Sequence, residues 1–205
     1  MKQTFIKMAV LVLGLSIGFA SCKKDKAETK NSFNYHEKES EIGTAMGFQL
    51  GILDGGVYGI GMEFIEKTIT VNYVNGLPGS LSGQGDVLDL TFLTNNATEI
   101  PGGVYNFLDL NTATFLKAFS IVGLTESGLY VNVDTSGSND PAAMQITGGT
   151  VTVSKNEGEY DFTFTLKTNL NSTISGHYLG KPVFYSVGKK KSASAADGFF
   201  NRLSH

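Results

Sequence analysis

Apolar and polar residues alternate along most of this chain, with the period of a strand and almost no helix-period stretch. The clearest case runs from Gln145 to Val153 (QITGGTVTV) and, beyond Ser154-Lys155-Asn156-Glu157-Gly158, from Glu159 to Leu166 (EYDFTFTL). Successive side chains of a strand point to opposite faces. Val151 and Val153 therefore share one face, and Tyr160, Phe162, Phe164 and Leu166 share one face of the returning strand. The Asn-Glu-Gly turn between them supplies the positive φ that a tight hairpin demands. Ser172 to Tyr178 reads as a third strand. A Gly-Lys-Pro turn then leads to Val183-Phe184-Tyr185 and completes a C-terminal meander.

Upstream the pattern repeats less cleanly. Val57 to Ile65 and Thr68 to Val74 are strand-like runs around Glu66-Lys67, and Asp86 to Leu93 alternates imperfectly. Pro101-Gly102-Gly103 turns the chain into Val104-Tyr105-Asn106-Phe107. Phe115 to Val122 and Leu129 to Val133 are two more candidates, joined near Glu126-Ser127-Gly128, although Thr112 to Ala118 fits a helical turn equally well. Phe33 to Lys38 opens the sheet and Phe48 to Leu53 follows it. Many short strands punctuated by Gly, Asn and Ser predict an all-β fold, an antiparallel β-sandwich. The alternative is a flattened up-and-down β-barrel, lipocalin-like.

Both ends depart from this pattern. Met1 to Lys7 is a basic head, Met8 to Phe19 an apolar run, and Ala20-Ser21 precede Cys22, the only cysteine. The run is shorter than the ~20 apolar residues of a spanning helix and reads as a secretory signal peptide over residues 1–21. Phe19-Ala20-Ser21-Cys22 resembles the lipobox of bacterial lipoproteins, which implies lipidation at Cys22, palmitate among the acyl chains, and a membrane as partner. With one cysteine there is no intramolecular disulfide. Residues 22–32 are charged and form a tether, residues 33–187 a single all-β domain, and residues 188–205 a flexible or short amphipathic tail. In that tail Phe199, Phe200 and Leu203 share one helical stripe, which can pack on the domain or, with Lys189-Lys190-Lys191, meet a membrane.

The body from Asn31 to Val187 carries 6 Lys and no Arg against 16 Asp plus Glu. Phosphate binding needs clustered cations, so no nucleic-acid partner is expected. Candidate chemistry is sparse. His36, His177 and His205 are the only histidines, and no G-x-S-x-G elbow occurs. No catalytic residue, no cofactor and no metal site is assigned. Asp134-Thr135-Ser136-Gly137-Ser138-Asn139-Asp140 offers oxygen ligands, but its glycine is misplaced for an EF-hand loop and no Glu closes it, so it reads as a polar turn. Gly55 to Gly61 lacks the G-K-[ST] of a phosphate loop and reads as a turn and a strand. The acids Glu63/Glu66 and Asp86/Asp89 are spaced three apart, which puts each pair on opposite faces of its strand; acids distant in sequence can still meet.

Ser21-Cys22-Lys23-Lys24-Asp25 resembles the start of lipoproteins of the Bacteroidetes phylum. The segments Glu99 to Phe107, Ile146 to Val153 and Thr173 to Gly180 are similar to the strand-and-turn elements of their small β-rich members. That resemblance implies an all-β domain over about Phe33 to Val187, with no assigned chemistry. Lys23 after the cysteine is similar to the outer-membrane pattern, and the periplasmic face and the cell surface both stay open. The expectation is a non-enzymatic, lipid-anchored module of the cell envelope, acting by binding or as a structural component. The alternatives are a glycan-binding accessory lipoprotein of a polysaccharide-uptake system and a small hydrolase whose acids converge only in three dimensions. A glycan platform relies on exposed aromatic rings, and here, without any Trp, most Tyr and Phe occupy core-like positions.

Overall fold

The computed structural model describes residues 30–53, 55–123, 128–134 and 142–186. They form twelve strands: β1 (Ser32–Tyr35), β2 (Lys38–Ile52), β3 (Tyr58–Glu66), β4 (Ile69–Val74), β5 (Leu77–Thr94), β6 (Gly103–Leu108), β7 (Ser120–Val122), β8 (Gly128–Asp134), β9 (Ala142–Asn156), β10 (Glu159–Thr168), β11 (Thr173–Gly180) and β12 (Val183–Ser186). Nine of them close a ring in the order β1-β11-β10-β9-β6-β7-β5-β3-β2, with β2 returning to β1. All these neighbours are antiparallel except β6 and β7. The all-β expectation holds, and the ring is compatible with the flattened barrel. It departs from simple up-and-down order at the parallel β6–β7 pair. Outside the ring, β8 bridges β5 and β9, β4 pairs β5, and β12 lies parallel to β2.

The β9–β10 hairpin has the predicted turn: Glu157 and Gly158 both take positive φ, 49° and 80°. Its alternating apolar residues Val151, Val153, Tyr160, Phe162, Phe164 and Leu166 all enter the core. Aromatic rings pack the barrel interior. Phe64 meets Phe162, Phe164 and Tyr178 with centroids 5.4–5.6 Å apart, and Phe92 stands edge-on to Tyr105 at 5.1 Å. The Tyr105 hydroxyl donates to the Pro101 carbonyl at 2.8 Å, so this deep ring leaves its polar tip satisfied. Burying each such ring stabilises the fold by about 1.5–3 kcal/mol. Opposite Phe164 lies Gly176, where a Cβ would stand 2.4 Å from the ring; only a residue without one lets the ring lie flat there.

Several predicted boundaries move. Phe33 to Lys38 is not one strand, because His36 at φ 53° turns β1 into β2. Phe48 to Leu53 falls largely within the end of a 15-residue β2, whose first half is too polar to read as a strand. Of Phe115 to Val122 only Ser120–Val122 pairs. Before it the chain is irregular, with a single turn in which the Thr112 and Ala113 amides donate to the Asp109 carbonyl. β12 joins β2 rather than extending the meander from β11.

β3 and β4 pair with β5 in one continuous register, from Tyr58↔Thr94 through Ile65↔Val87 to Ile69↔Gly83. Together they make one long hairpin, turned at Asn75 (φ 53°) and Gly76 (φ 77°). At its middle the hairpin bends. A Cβ on Gly83 would meet the Thr68 carbonyl at 2.5 Å, and one on Gly85 the Thr68 hydroxyl at 2.4 Å, so the bend needs both glycines. The distal half folds back as a flap on the outer wall. Ile69, Val71 and Leu81 pack there with Met46, Ile65, Val87, Tyr130 and Tyr185. A second outer cluster sets Leu108, Leu110 and Leu116 over Val57, Leu93 and Val122.

Candidate functional site

The strip of outer wall between these two apolar clusters holds two acids. On β3, Ile60, Met62 and Phe64 face the barrel core, which turns Gly61 and Glu63 outward on the side of Ile65. On β5, Leu88, Leu90 and Phe92 face inward, which turns Asp89 and Thr91 outward. The register sets Glu63 opposite Asp89 and Gly61 opposite Thr91. On the next strand Met46 lies opposite Glu63 and Phe48 opposite Gly61. Phe48 stacks on Tyr185 of β12 at 5.8 Å. Tyr185 is hydrogen-bonded to Tyr73 of the flap; burial, then that bond, pushes its hydroxyl up to about 12.

Glu63 is 1% exposed and Asp89 2%. Among the described residues neither carboxyl oxygen of Glu63 has a hydrogen-bond partner. Burial pushes the Glu63 carboxyl well above the usual carboxylate range, and the charge of Asp89 adds in the same direction. The protonated form of Glu63 is therefore favoured beside Asp89. Beside them Gly61 is buried, yet a Cβ on it would meet nothing within 4 Å. That position lies beside the two acids, and among the described residues nothing comes within 4 Å of it.

Glu66 and Asp86 also meet, on the inward face at one barrel mouth. The Asp86 amide donates to Glu66 Oε2 at 2.8 Å. The Asp86 carboxylate accepts from Lys38 Nζ at 2.8 Å, Ser40 Oγ at 2.9 Å and the Asn132 amide at 2.9 Å. Burial by itself would depress the Lys38 amine; the Asp86 hydrogen bond and charge, with Glu66 behind them, outweigh it and hold that amine above its usual range. With three donors on the Asp86 carboxylate, this cluster ties the β1–β2 turn, β3, β5 and β8 together. The sequence spacing had grouped Glu63 with Glu66 and Asp86 with Asp89. The strands keep each of those pairs on opposite faces, as alternation requires, and regroup the four acids across β3 and β5.

Of the other candidates, His177 faces outward on β11, opposite Thr163 of β10 and Ser32 of β1. Its Nε2 lies 3.0 Å from Asp161 Oδ1, and its buried Nδ1 has no hydrogen-bond partner among the described residues. The three residue types resemble a catalytic triad, but Nδ1, the nitrogen left to activate a nucleophile, meets no nucleophile among the described residues. A groove of about 470 Å³ opens between Phe107, Leu110 and Ile146, rimmed by Asp109, Asn111 and Gln145. Asp109 Oδ1 accepts both the amide and the Nδ2 of Asn111, at 2.9 and 3.0 Å. Among the described residues no three His, Cys, Asp or Glu side chains gather as a metal site would require. Cys22 and residues 135–140 of the oxygen-rich run lie outside the described residues. No protein-family model matches the chain, and no curated protein or solved structure is significantly similar to it.

Proposed function

We propose that this chain is a lipid-anchored module of a bacterial cell envelope, of the small β-rich Bacteroidetes kind, acylated at Cys22 and held to the outer membrane. It acts by surface contact, as a binding or structural component, rather than by turnover. The observation that carries the contact part is the barrel interior. Phe33, Phe64, Phe92, Tyr105, Phe162 and Phe164 are fully buried there and pack it with rings, which favours recognition on the outside. The apolar run ending at Ala20-Ser21-Cys22 supports the anchor. Mass spectrometry of the chain isolated from a Gram-negative host tests it directly. The expected product begins at an acylated Cys22, and Cys22→Ala moves the protein from the envelope to the soluble fraction. An unmodified thiol overturns the anchor.

A small hydrolase has one observation in its favour, the convergence of Glu63 and Asp89 across β3 and β5. Exposures of 1% and 2% stand against it, since a substrate would have to lift the cover to reach either acid. A glycan-binding surface has less support: Tyr73 and Phe115 are the exposed rings among the described aromatic side chains. The soluble Asn31–His205 fragment on a glycan array separates these cases. Silence across the array removes the glycan function, and hydrolysis abolished by Asp89→Asn would replace the contact function with the enzymatic one.

A further inference from the structure

The groove beside β9 is built at a place where that strand changes partners. β6 pairs with it at Thr150 to Val153 and β8 at Ala142 to Gln145, so among the described residues no strand pairs that side of β9 in between. There the β9–β10 register slips by one residue and leaves Thr147 as a bulge. A regular strand turns Ile146 away from Gln145 and Thr147, yet all three line the groove. Its volume of about 470 Å³ is that of a small-ligand site. Across from β9 the half-buried ring of Phe107 and the side chain of Leu110 complete an apolar floor with Ile146. Gly123 keeps that floor clear. A Cβ there would stand 2.6 Å from the Ile146 carbonyl and 3.3 Å from the Phe107 ring.

The rim is polar, and one of its groups is fixed in advance. Asp109 Oδ1 accepts from the amide and Nδ2 of Asn111, while the Asp109 carbonyl accepts from the Thr112 and Ala113 amides. The turn thus holds the carboxylate still, with its other oxygen unused among the described residues; the Gln145 side-chain amide and the Thr147 hydroxyl are unused likewise. An anion would meet Asp109, and neither Lys nor Arg is among the lining residues to offset it. A wholly apolar ligand would strip water from three polar groups and give them nothing back. A compact cation would leave the floor uncovered. A sugar ring meets both halves, with C–H groups on its face and hydroxyls, both donors and acceptors, at its edge. We propose that this groove binds one uncharged sugar ring, laid on Phe107 with its hydroxyls on Asp109, Gln145 and Thr147. The proposal deepens the binding role given above and rests on it, and it calls on a half-buried ring rather than an exposed platform.

Saturation-transfer NMR on the full chain, in a detergent without a sugar head group, tests it. The probes are the methyl glycosides of glucose, galactose, mannose and N-acetylglucosamine, with glucuronate and decanoate as the charged and apolar comparisons. At least one neutral glycoside receives saturation, most strongly at the C–H groups of one ring face. Asp109→Asn keeps an acceptor for Asn111 but loses the charge, and weakens the Kd of that glycoside at least about tenfold. Thr147→Leu fills the groove and abolishes binding. Gln145 and Thr147 are exposed, so a variant at either keeps the parent's thermal midpoint, and Gln145→Ala serves as a further check with a loss of about threefold or more. Silence from all four glycosides overturns the proposal. So does binding that survives both Asp109→Asn and Thr147→Leu, or tighter binding of glucuronate or decanoate, which assigns the groove to an anion or to an acyl chain. Silence leaves the Cys22 anchor standing, because mass spectrometry reads that separately, and a bound sugar with an unmodified Cys22 removes the anchor and keeps the groove.

Discussion

Glu63 has lost nearly all of its water, and nothing among the described residues replaces that water at its oxygens. The cost falls on the ionised form alone, which sets the sign of a pH dependence. In the unfolded chain Glu63 gives up its proton near 4.5, whereas in the fold burial and Asp89 hold the proton to higher pH. Below that lower value both states are protonated and the residue is neutral in effect. Above it the unfolded state gains, at about 1.4 kcal/mol per pH unit, until the folded-state value is passed. Glu63→Gln therefore stabilises the protein more at pH 8 than at pH 5 in urea unfolding, and an equal gain at both would contradict a retained proton. Asp86 matters for its hydrogen bonds. Its carboxylate is spent on Lys38, Ser40 and the Asn132 amide, so Asp86→Ala leaves a partly buried backbone donor and a buried hydroxyl stranded. The expected loss is about 3 kcal/mol, discounted because Lys38 is half exposed. A denaturant midpoint within error of the parent would show that the tie is idle.

Among the elements, the β9–β10 hairpin was legible from its residues because alternation and turn chemistry agree there. Val151, Val153, Tyr160 and Phe162 mark one face, and the two-residue turn demanded positive φ. Glu157 occupies that conformation at some strain, so Glu157→Asn or Glu157→Gly stabilises by about 0.5 kcal/mol, readable as a rise in thermal midpoint. The early half of β2 was hidden, since Lys38 to Thr44 offers few apolar residues and earns its pairing only from β1 and β3. The flap was hidden for another reason. Leu77 to Gln84 is polar and glycine-rich, and what holds it is the register inherited from β3 and the contacts of Ile69, Val71 and Leu81 with the wall. The candidate site was half legible. The four acids stood out, but which ones meet depends on the β3–β5 register, and no local pattern encodes a register across 26 residues. Ile69→Ala detaches part of the flap, costing about 2–3 kcal/mol and raising hydrogen exchange in β4 before β10.

For the molecule as a whole, the weak place is the outer edge of that flap. From Thr68 to Gly85 the chain carries no charged residue, and Tyr73, Val74 and Leu77 stand exposed around the turn. β4 pairs with β5 alone, and natural sheets usually guard such an edge with charge. Leu77→Lys should lower self-association of the concentrated protein in light scattering without moving its unfolding midpoint, and unchanged scattering would show that the edge is already covered. The closure of the ring has a temporal side as well. Asn31 clasps Leu179 through both its amide nitrogen and its oxygen, 148 positions away, so the first strand has no partner on that flank until nearly the whole domain has emerged. A chain delivered amino end first, whether from ribosome or translocon, must carry its opening segment half-paired to the very end of synthesis or export. Assembly of this barrel is therefore an all-at-once event that waits on its last hairpin, and any stall before residue 180 leaves an open sheet for chaperones to guard.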